Sequence, residues 1–177
     1  MGNILRHIKR FSRNEDGTST IEFVIAFPFV FMMVVATFDT GVLMMKYVVL
    51  ENALDRVVRD VRLTGIADGD AGVNFFKTEV CAIAELINDC ETSLHVEMTP
   101  IDTSSTYTAS AVTCVDRNAD NPPATTFTVG SPDDIVYIRA CLVQDRFFPN
   151  ALSSIFDVDA SGGIQLIADS AYVVEPL

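Results

Sequence analysis

A single carboxylate at the edge of a long apolar run is the side chain in this sequence whose chemistry most needs an explanation. Glu22 lies five residues after Gly17 and directly before sixteen uncharged residues, Phe23 to Phe38. A carboxylate in hydrocarbon costs free energy unless a cation or water reaches it. Glu22 therefore needs a partner or marks a place where the surroundings of the chain change. In the simplest alternative, Glu22 extends to membrane headgroups and Gly17 is an ordinary loop glycine.

Residues suited to catalysis are sparse and poorly spaced. The two histidines are His7, near the N-terminus, and His95, which alternates with apolar residues in a predicted strand. The sequence contains no nucleophile motif, no phosphate-binding glycine loop and no metal-binding histidine pair. We therefore predict no catalytic residue, no cofactor and no enzyme activity.

Two acidic loops resemble parts of a calcium-binding loop. In the first, Asp157, Asp159 and Ser161 alternate correctly, but Ala168 stands at position twelve, where a bidentate Glu is required. In the first loop Gly162 follows at the expected position. The second loop has the same alternation but lacks this glycine: Asp116, Asn118 and Asp120. Aspartate and asparagine also favour ordinary turns. We assign no metal ligand, and calcium binding at either loop stays an open alternative.

The elements that position Glu22 begin with a predicted membrane span. Residues 21–47 are mostly apolar, and the charged residues among them are Glu22, Asp39 and Lys46. At about 1.5 Å per residue, a helix of this length crosses about 30 Å of hydrocarbon. Pro28 lies inside the span, where transmembrane helices tolerate proline better than soluble helices do. We expect one membrane-spanning helix in contact with the lipid bilayer.

Charge is distributed asymmetrically about this span. Residues 1–17 carry four basic and two acidic residues, a net charge of +2, whereas the rest carries eight basic and 22 acidic residues, −14, within a total of −12. Nucleic-acid binding is excluded as the main role, since it requires a cationic surface. The positive-inside rule predicts a single-pass protein of the inner (cytoplasmic) membrane with a cytoplasmic N-terminus and a periplasmic body.

The span continues into an amphipathic segment, residues 48–64. Its apolar positions recur at intervals of three and four residues, which predicts one helix from about Ser19 to Leu63 that ends at Thr64-Gly65. Residues 65–177 predict a small α+β domain. Its predicted elements are a loop (65–72), a helix (73–90), strands (92–101, 107–115, 125–130 and 133–143), a short helix (148–156) and a final strand or hairpin (162–177).

The four cysteines all follow the span, in the part of the chain that is predicted to lie in an oxidising compartment: Cys81, Cys90, Cys114 and Cys141. None lies in a CxxC motif or a zinc-ligand pattern. Two disulfides are therefore expected, with buried free thiols as the alternative. Of the three possible connectivities we favour Cys81–Cys90, at the end of the predicted helix, and Cys114–Cys141, between two predicted strands.

The N-terminal third resembles a known family. A basic leader ending in Gly17, followed by a chain with Glu at its fifth position and an aromatic residue at its sixth, is similar to the processing site of the type IV pilin superfamily. More narrowly, residues 14 to about 60 resemble the TadE-like family, minor pseudopilins of tight-adherence (Tad, Flp-type) pilus systems. The residues that carry this resemblance are Gly17, Glu22-Phe23, Pro28 and Asp39-Thr40-Gly41. The family more often has Glu where this chain has Asp39.

The resemblance implies a prepilin peptidase that cleaves between Gly17 and Thr18, and a new amino group on Thr18. It implies that Glu22 and Phe23 act in assembly, with the Glu22 carboxylate facing the positive terminus of a neighbouring subunit. The implied segments are a leader (1–17), a transmembrane helix (18–47), its amphipathic continuation (48–64) and a pilin-like head with an antiparallel sheet (65–177). The implied partners are other pilin and pseudopilin subunits and the inner-membrane assembly machinery of an adhesive pilus.

Two other fates of the N-terminus stay open. In the first, the chain is never cleaved and anchors an extracytoplasmic binding domain. In the second, a secretory signal is cleaved after Ala36, at small-residue spacing from Val34, and a soluble domain is released. Against the second stand the apolar residues that continue to Val49.

Overall fold

A long helix opens the described part of the chain. The computed structural model describes residues 18–101, 114, 126–146 and 163–175. Helix α1 runs from Thr18 to Thr64 and contains Pro28. It ends at Gly65, which has a φ of 74° and donates its N–H to the Val61 carbonyl oxygen at 2.8 Å. Glycine adopts this left-handed conformation without steric cost, so the predicted long helix and its stop are confirmed.

The chain forms two compact units, residues 1–38 and residues 39–177. The described residues of the first unit all belong to the start of α1. The second unit contains the rest of α1 and the domain that follows it. We call this domain, residues 65–177, the head. Among the described residues, one helix, Ser19–Thr64, is long and apolar enough to cross a membrane.

The head contains a three-stranded antiparallel sheet. Its strands are β1 (Leu94–Ile101), β2 (Ile135–Gln144) and β3 (Ile164–Val173), in the order β1-β2-β3. The register places Ala140 of β2 between Val96 of β1 and Ala168 of β3. The α+β fold class, with a long N-terminal helix and an antiparallel sheet, is therefore confirmed.

The core lies between one face of this sheet and the second half of α1. Alternate residues of each strand point to this face, since side chains alternate along a strand. The fully buried members of the core on the strands are Leu94, Val96, Met98, Val136, Ile138, Ala140, Leu142 and Ala168. Helix α1 adds an apolar seam, residues 50–61, whose buried members are Leu50, Ala53, Leu54, Val57, Val58 and Val61. The amphipathic pattern predicted for 48–64 is this seam.

The second helix is shorter than predicted. Helix α2 runs from Asp70 to Ile83, and α3, a single turn, runs from Cys90 to Ser93. The expected helix 73–90 is wrong beyond Ile83, although Val80, Ala84 and Ile87 are all buried, as the spacing required. The expected loop 65–72 is likewise wrong from Asp70 onward, where α2 begins. The predicted start of β1 at residue 92 is also wrong, because α3 occupies 90–93.

Two predicted strands differ in the structure. Residues 125–130 were expected as a strand, but in the described residues Phe127 forms one isolated parallel bridge with Met98. Two hydrogen bonds flank it: Met98 N–H donates to Thr126 O and Thr128 N–H to Met98 O, both at 2.9 Å. The C-terminal segment is one strand, β3, rather than a hairpin. The predicted strand 107–115, apart from Cys114, and the predicted short helix 148–156 lie outside the described residues.

All four cysteines of the sequence are paired. Disulfides join Cys81 to Cys90 and Cys114 to Cys141, with Cα atoms 5.6 and 5.5 Å apart. These pairs fit the expected connectivity. The first links α2 to α3, however, and Cys114 does not lie in a strand, so the second ties a non-strand residue to β2.

Packing in the core predicts a large difference between two adjacent phenylalanines of α2. Phe76 is fully buried and contacts Phe127 edge-on, with ring centroids 6.4 Å apart, whereas Phe75 is 43% exposed. Phe76→Ala should lower the free energy of unfolding by about 3–5 kcal/mol, because it removes buried area and leaves a cavity. Phe75→Ala, the matched control, should change it by about 0.5 kcal/mol or less.

The measurement is urea unfolding of the full chain in detergent, followed by near-ultraviolet circular dichroism. Equal effects of the two substitutions would contradict the packing described for Phe76.

Candidate membrane and assembly segment

The first half of α1 presents apolar side chains on all sides. Its large hydrophobic residues are each about half exposed or more, up to 72% for Phe29 and 74% for Met33. They are Ile21, Phe23, Val24, Ile25, Phe27, Phe29, Val30, Phe31, Met32, Met33 and Val34. Soluble monomers rarely expose a continuous apolar surface of this kind. A helix that is apolar all round is suited to a hydrocarbon environment.

Three phenylalanines form a row along this segment. The ring centroids of Phe23 and Phe27 are 5.5 Å apart, and those of Phe27 and Phe31 are 5.8 Å apart. Residues four apart lie on one helix face, so the row follows from spacing alone. Phe23, singled out from the sequence, therefore begins an aromatic stripe of the exposed surface.

Glu22 lies exposed in the second turn of α1, at the start of this apolar surface. The described residues of the first unit, 18–38, include no basic residue, and the next one along the chain is Lys46. Gly17, the expected cleavage position, lies outside the described residues, and Thr18 is the first residue of the helix.

At the other end of the predicted span, α1 is fastened to the sheet. Lys46 is half-buried and donates from Nζ to Gln144 Oε1 at 2.7 Å, at the last residue of β2. Asp39, expected near the membrane interface, is buried at 4% exposure. The two charged residues of α1 between Glu22 and Tyr47 are therefore a buried aspartate, Asp39, and a hydrogen-bonded, half-buried lysine, Lys46.

A second contact fastens the C-terminal end of α1. Arg62 donates to Glu175 Oε1 from Nε at 2.9 Å and from Nη2 at 2.6 Å. Both side chains are about half exposed, 50% and 49%, so solvent screens the pair and its net contribution is small. Its role is positional: the last described residue of the chain lies against the helix end.

The described residues contain no catalytic arrangement. His95 is buried, and its Nε2 has no hydrogen-bond partner. Its register partner across the sheet is Cys141, whose sulfur is held in a disulfide and is therefore not a nucleophile. Burial lowers the pKa of His95 below its ordinary value of 6.5; Glu97 acts in the opposite direction and Lys77 adds to the lowering. The imidazole is an uncharged packing group of the folded head.

Metal binding finds no support in the described part of the chain, which contains no group of three or more His, Cys, Asp or Glu side chains that could hold an ion. Residues 116–120 and 157–161, the acidic parts of the two candidate loops, lie outside the described residues. The second half of the later pattern, residues 164–168, is the start of β3, and Ala168 is fully buried. A twelve-residue calcium loop would need those residues in a loop conformation.

A family match covers the apolar first half of α1, with Glu22 near its start, and most of the seam that follows. Residues 17–59 match the TadE-like protein family. The resemblance inferred from the sequence is thus confirmed over this segment, which extends from the expected cleavage position into the seam of α1. A comparison with curated proteins found no match, and neither did a comparison with solved structures.

The match is to a family that is associated with Tad pili. That family is structural rather than enzymatic. The apolar helix is compatible with a single-pass membrane anchor. The match ends at residue 59, so it carries no information on the sheet of the head.

Two features of the segment had no signal in the sequence. The Lys46–Gln144 hydrogen bond joins residues 98 positions apart. The burial of Asp39 also depends on residues distant in sequence. An acidic residue after an apolar run gives the same sequence pattern whether its side chain lies at a membrane surface or is buried in a packed domain. Only the packing of the head against α1 distinguishes these cases.

The environment of His95 predicts a pH dependence. Because its pKa is lowered in the folded state, the unfolded chain binds a proton more readily, and the contribution of His95 to stability falls as the pH decreases below about 6.5. His95→Gln should remove this contribution, which cannot exceed about 1.4 kcal/mol per pH unit for one group. The measurement is urea unfolding of both proteins between about pH 7.5 and 5.5. Parallel pH profiles would contradict the assignment.

Proposed function

We propose that this protein is a minor pilin-like subunit, a pseudopilin, that supports assembly of a Tad-type adhesive pilus. The observation that carries the proposal is the coincidence of the TadE-like match at residues 17–59 with one continuous helix, Thr18–Thr64. The first half of this helix is apolar and exposed, and the second half belongs to the core of the head. This division is the plan that the pilin resemblance implies.

In this proposal helix α1 has two roles in succession. Before assembly its apolar half crosses the inner membrane, with the leader in the cytoplasm and the head in the periplasm. During assembly the same apolar surface packs against helices of neighbouring pilin subunits. The exposed residues between Ile21 and Val34 suit both environments, because neither offers water to an apolar side chain. Whether the subunit enters the filament or supports it from the membrane depends on partners of the pilus machinery.

Glu22 supplies the selectivity of this packing. A carboxylate without a partner near the membrane centre costs about 2.5–3.5 kcal/mol, and less near the interface. After cleavage behind Gly17, the α-amino group of a neighbouring subunit is a cation of suitable size and charge. Pairing of the two groups offsets the cost of burying either one. A helix placed out of register would leave the Glu22 carboxylate unpaired and would be disfavoured.

The first test is the mature N-terminus, which processing as a prepilin predicts to be Thr18. Intact-mass spectrometry of protein purified from membranes of cells that contain the prepilin peptidase provides the measurement. Mature protein beginning at Met1 would instead identify an unprocessed membrane-anchored binding domain. Protein beginning at Thr37 would identify a secreted domain released by a signal peptidase. Deletion of the prepilin peptidase gene is the control and should leave the leader in place.

The second test separates processing from assembly. Glu22→Gln should leave membrane insertion and cleavage after Gly17 intact and should abolish most pilus formation, because the carboxylate acts after cleavage. Gly17→Val should block cleavage and leave a precursor longer by the leader. Asp55→Asn, a change of the same kind on the exposed polar face of α1, is the matched control and should affect neither.

Precursor size on gels and pilus yield after shearing are to be compared for the three variants side by side. Normal pilus yield from Glu22→Gln would show that the carboxylate only reaches the headgroups.

A further inference from the structure

An apolar groove lies between α1 and the start of β3, and the function proposed above does not explain it. The groove has a volume of about 380 Å³ and lies entirely within the second compact unit. One wall is a stretch of α1 with Thr40, Leu43, Met44 and Tyr47, and the other is the start of β3, residues 164–167. None of its lining residues is charged. An occupant must therefore be uncharged and apolar over most of its surface.

The α1 residues that line the groove follow directly in sequence on the apolar run of the predicted span. Asp39 is the sole charged residue between Glu22 and Lys46, and it is buried. The ammonium group of Lys46 is bound to Gln144. Met44 and Met45, beside the groove, are each 60% exposed. No charged group of α1 therefore separates the lipid-facing surface from the groove.

The predicted span ends within the α1 wall of the groove. A hydrocarbon core about 30 Å thick takes about 20 helical residues, so a span that begins at Glu22 ends near residue 42, between Thr40 and Leu43. Tyr47 and the exposed Gln165 are the polar residues expected at headgroup level, where amphipathic side chains are enriched.

We propose that an acyl chain of a phospholipid in the outer leaflet of the inner membrane occupies this groove. The start of β3 is then in contact with lipid, and the head rests on the bilayer. The inference rests on the membrane-anchored role proposed above. It adds that a part of the head remote from α1 in sequence is itself a lipid-binding surface.

The test uses the absence of tryptophan from the chain, so that one introduced tryptophan reports on one position. The full chain is placed in phosphatidylcholine vesicles at high lipid excess, and tryptophan fluorescence is compared with and without bromine on the acyl chains, which quench on contact. Gln165→Trp reports on the groove, and Met44→Trp is a second reporter on its α1 wall. Val173→Trp is the matched control, on the same strand about 26 Å away at 3.3 Å per residue.

The proposal predicts that Gln165→Trp and Met44→Trp lose most of their fluorescence in brominated lipid and that Val173→Trp keeps it. Gln165→Trp that is as unquenched as Val173→Trp overturns it. Blue-shifted but unquenched emission from Gln165→Trp also overturns it, because a second copy of the chain then covers the groove. Phe29→Trp, within the span, separates the two hypotheses. If it is also unquenched, the membrane anchor itself is wrong.

Discussion

The head depends on one apolar seam of α1. Leu50, Leu54, Val57 and Val61 are at most 4% exposed and follow one face of the helix. The apolar face of a sheet must be buried against another element of the domain. The seam provides much of that cover. Because the same helix is apolar on all sides before residue 39, one element is matched to two surroundings: a full apolar circumference first, and then a single buried stripe.

Local pattern predicts this molecule well where the pattern has one cause. Glycine at residue 65 predicted the end of α1, and alternation predicted β1, because these signals depend on neighbouring residues alone. The prediction of α2 was wrong at its C-terminal end because apolar spacing indicates burial and does not require that the helix continue. Val80, Ala84 and Ile87 keep their apolar spacing after the helix has ended.

The error in α2 could have been found from the sequence. In an unbroken helix, Cys81 and Cys90 would be about 13.5 Å apart along the axis. The disulfide holds their Cα atoms at 5.6 Å. The expected helix 73–90 and the favoured disulfide were therefore incompatible, and the chain must reverse between them. The bridge of Phe127 to β1, the Lys46–Gln144 contact and the groove beside β3 are different, since each depends on segments brought together only by the complete fold.

The order of the core residues along the chain has a consequence for export. The seam of α1 is complete by residue 61, but its partners in β2 and β3 begin at residues 135 and 164. A core built from such distant segments forms slowly, because it cannot close before β3 is available. In the topology proposed above, the seam reaches the periplasm before β3 does, and apolar residues that are exposed for that time favour aggregation. Contact of residues 50–61 with another apolar surface during that interval would protect them from aggregation.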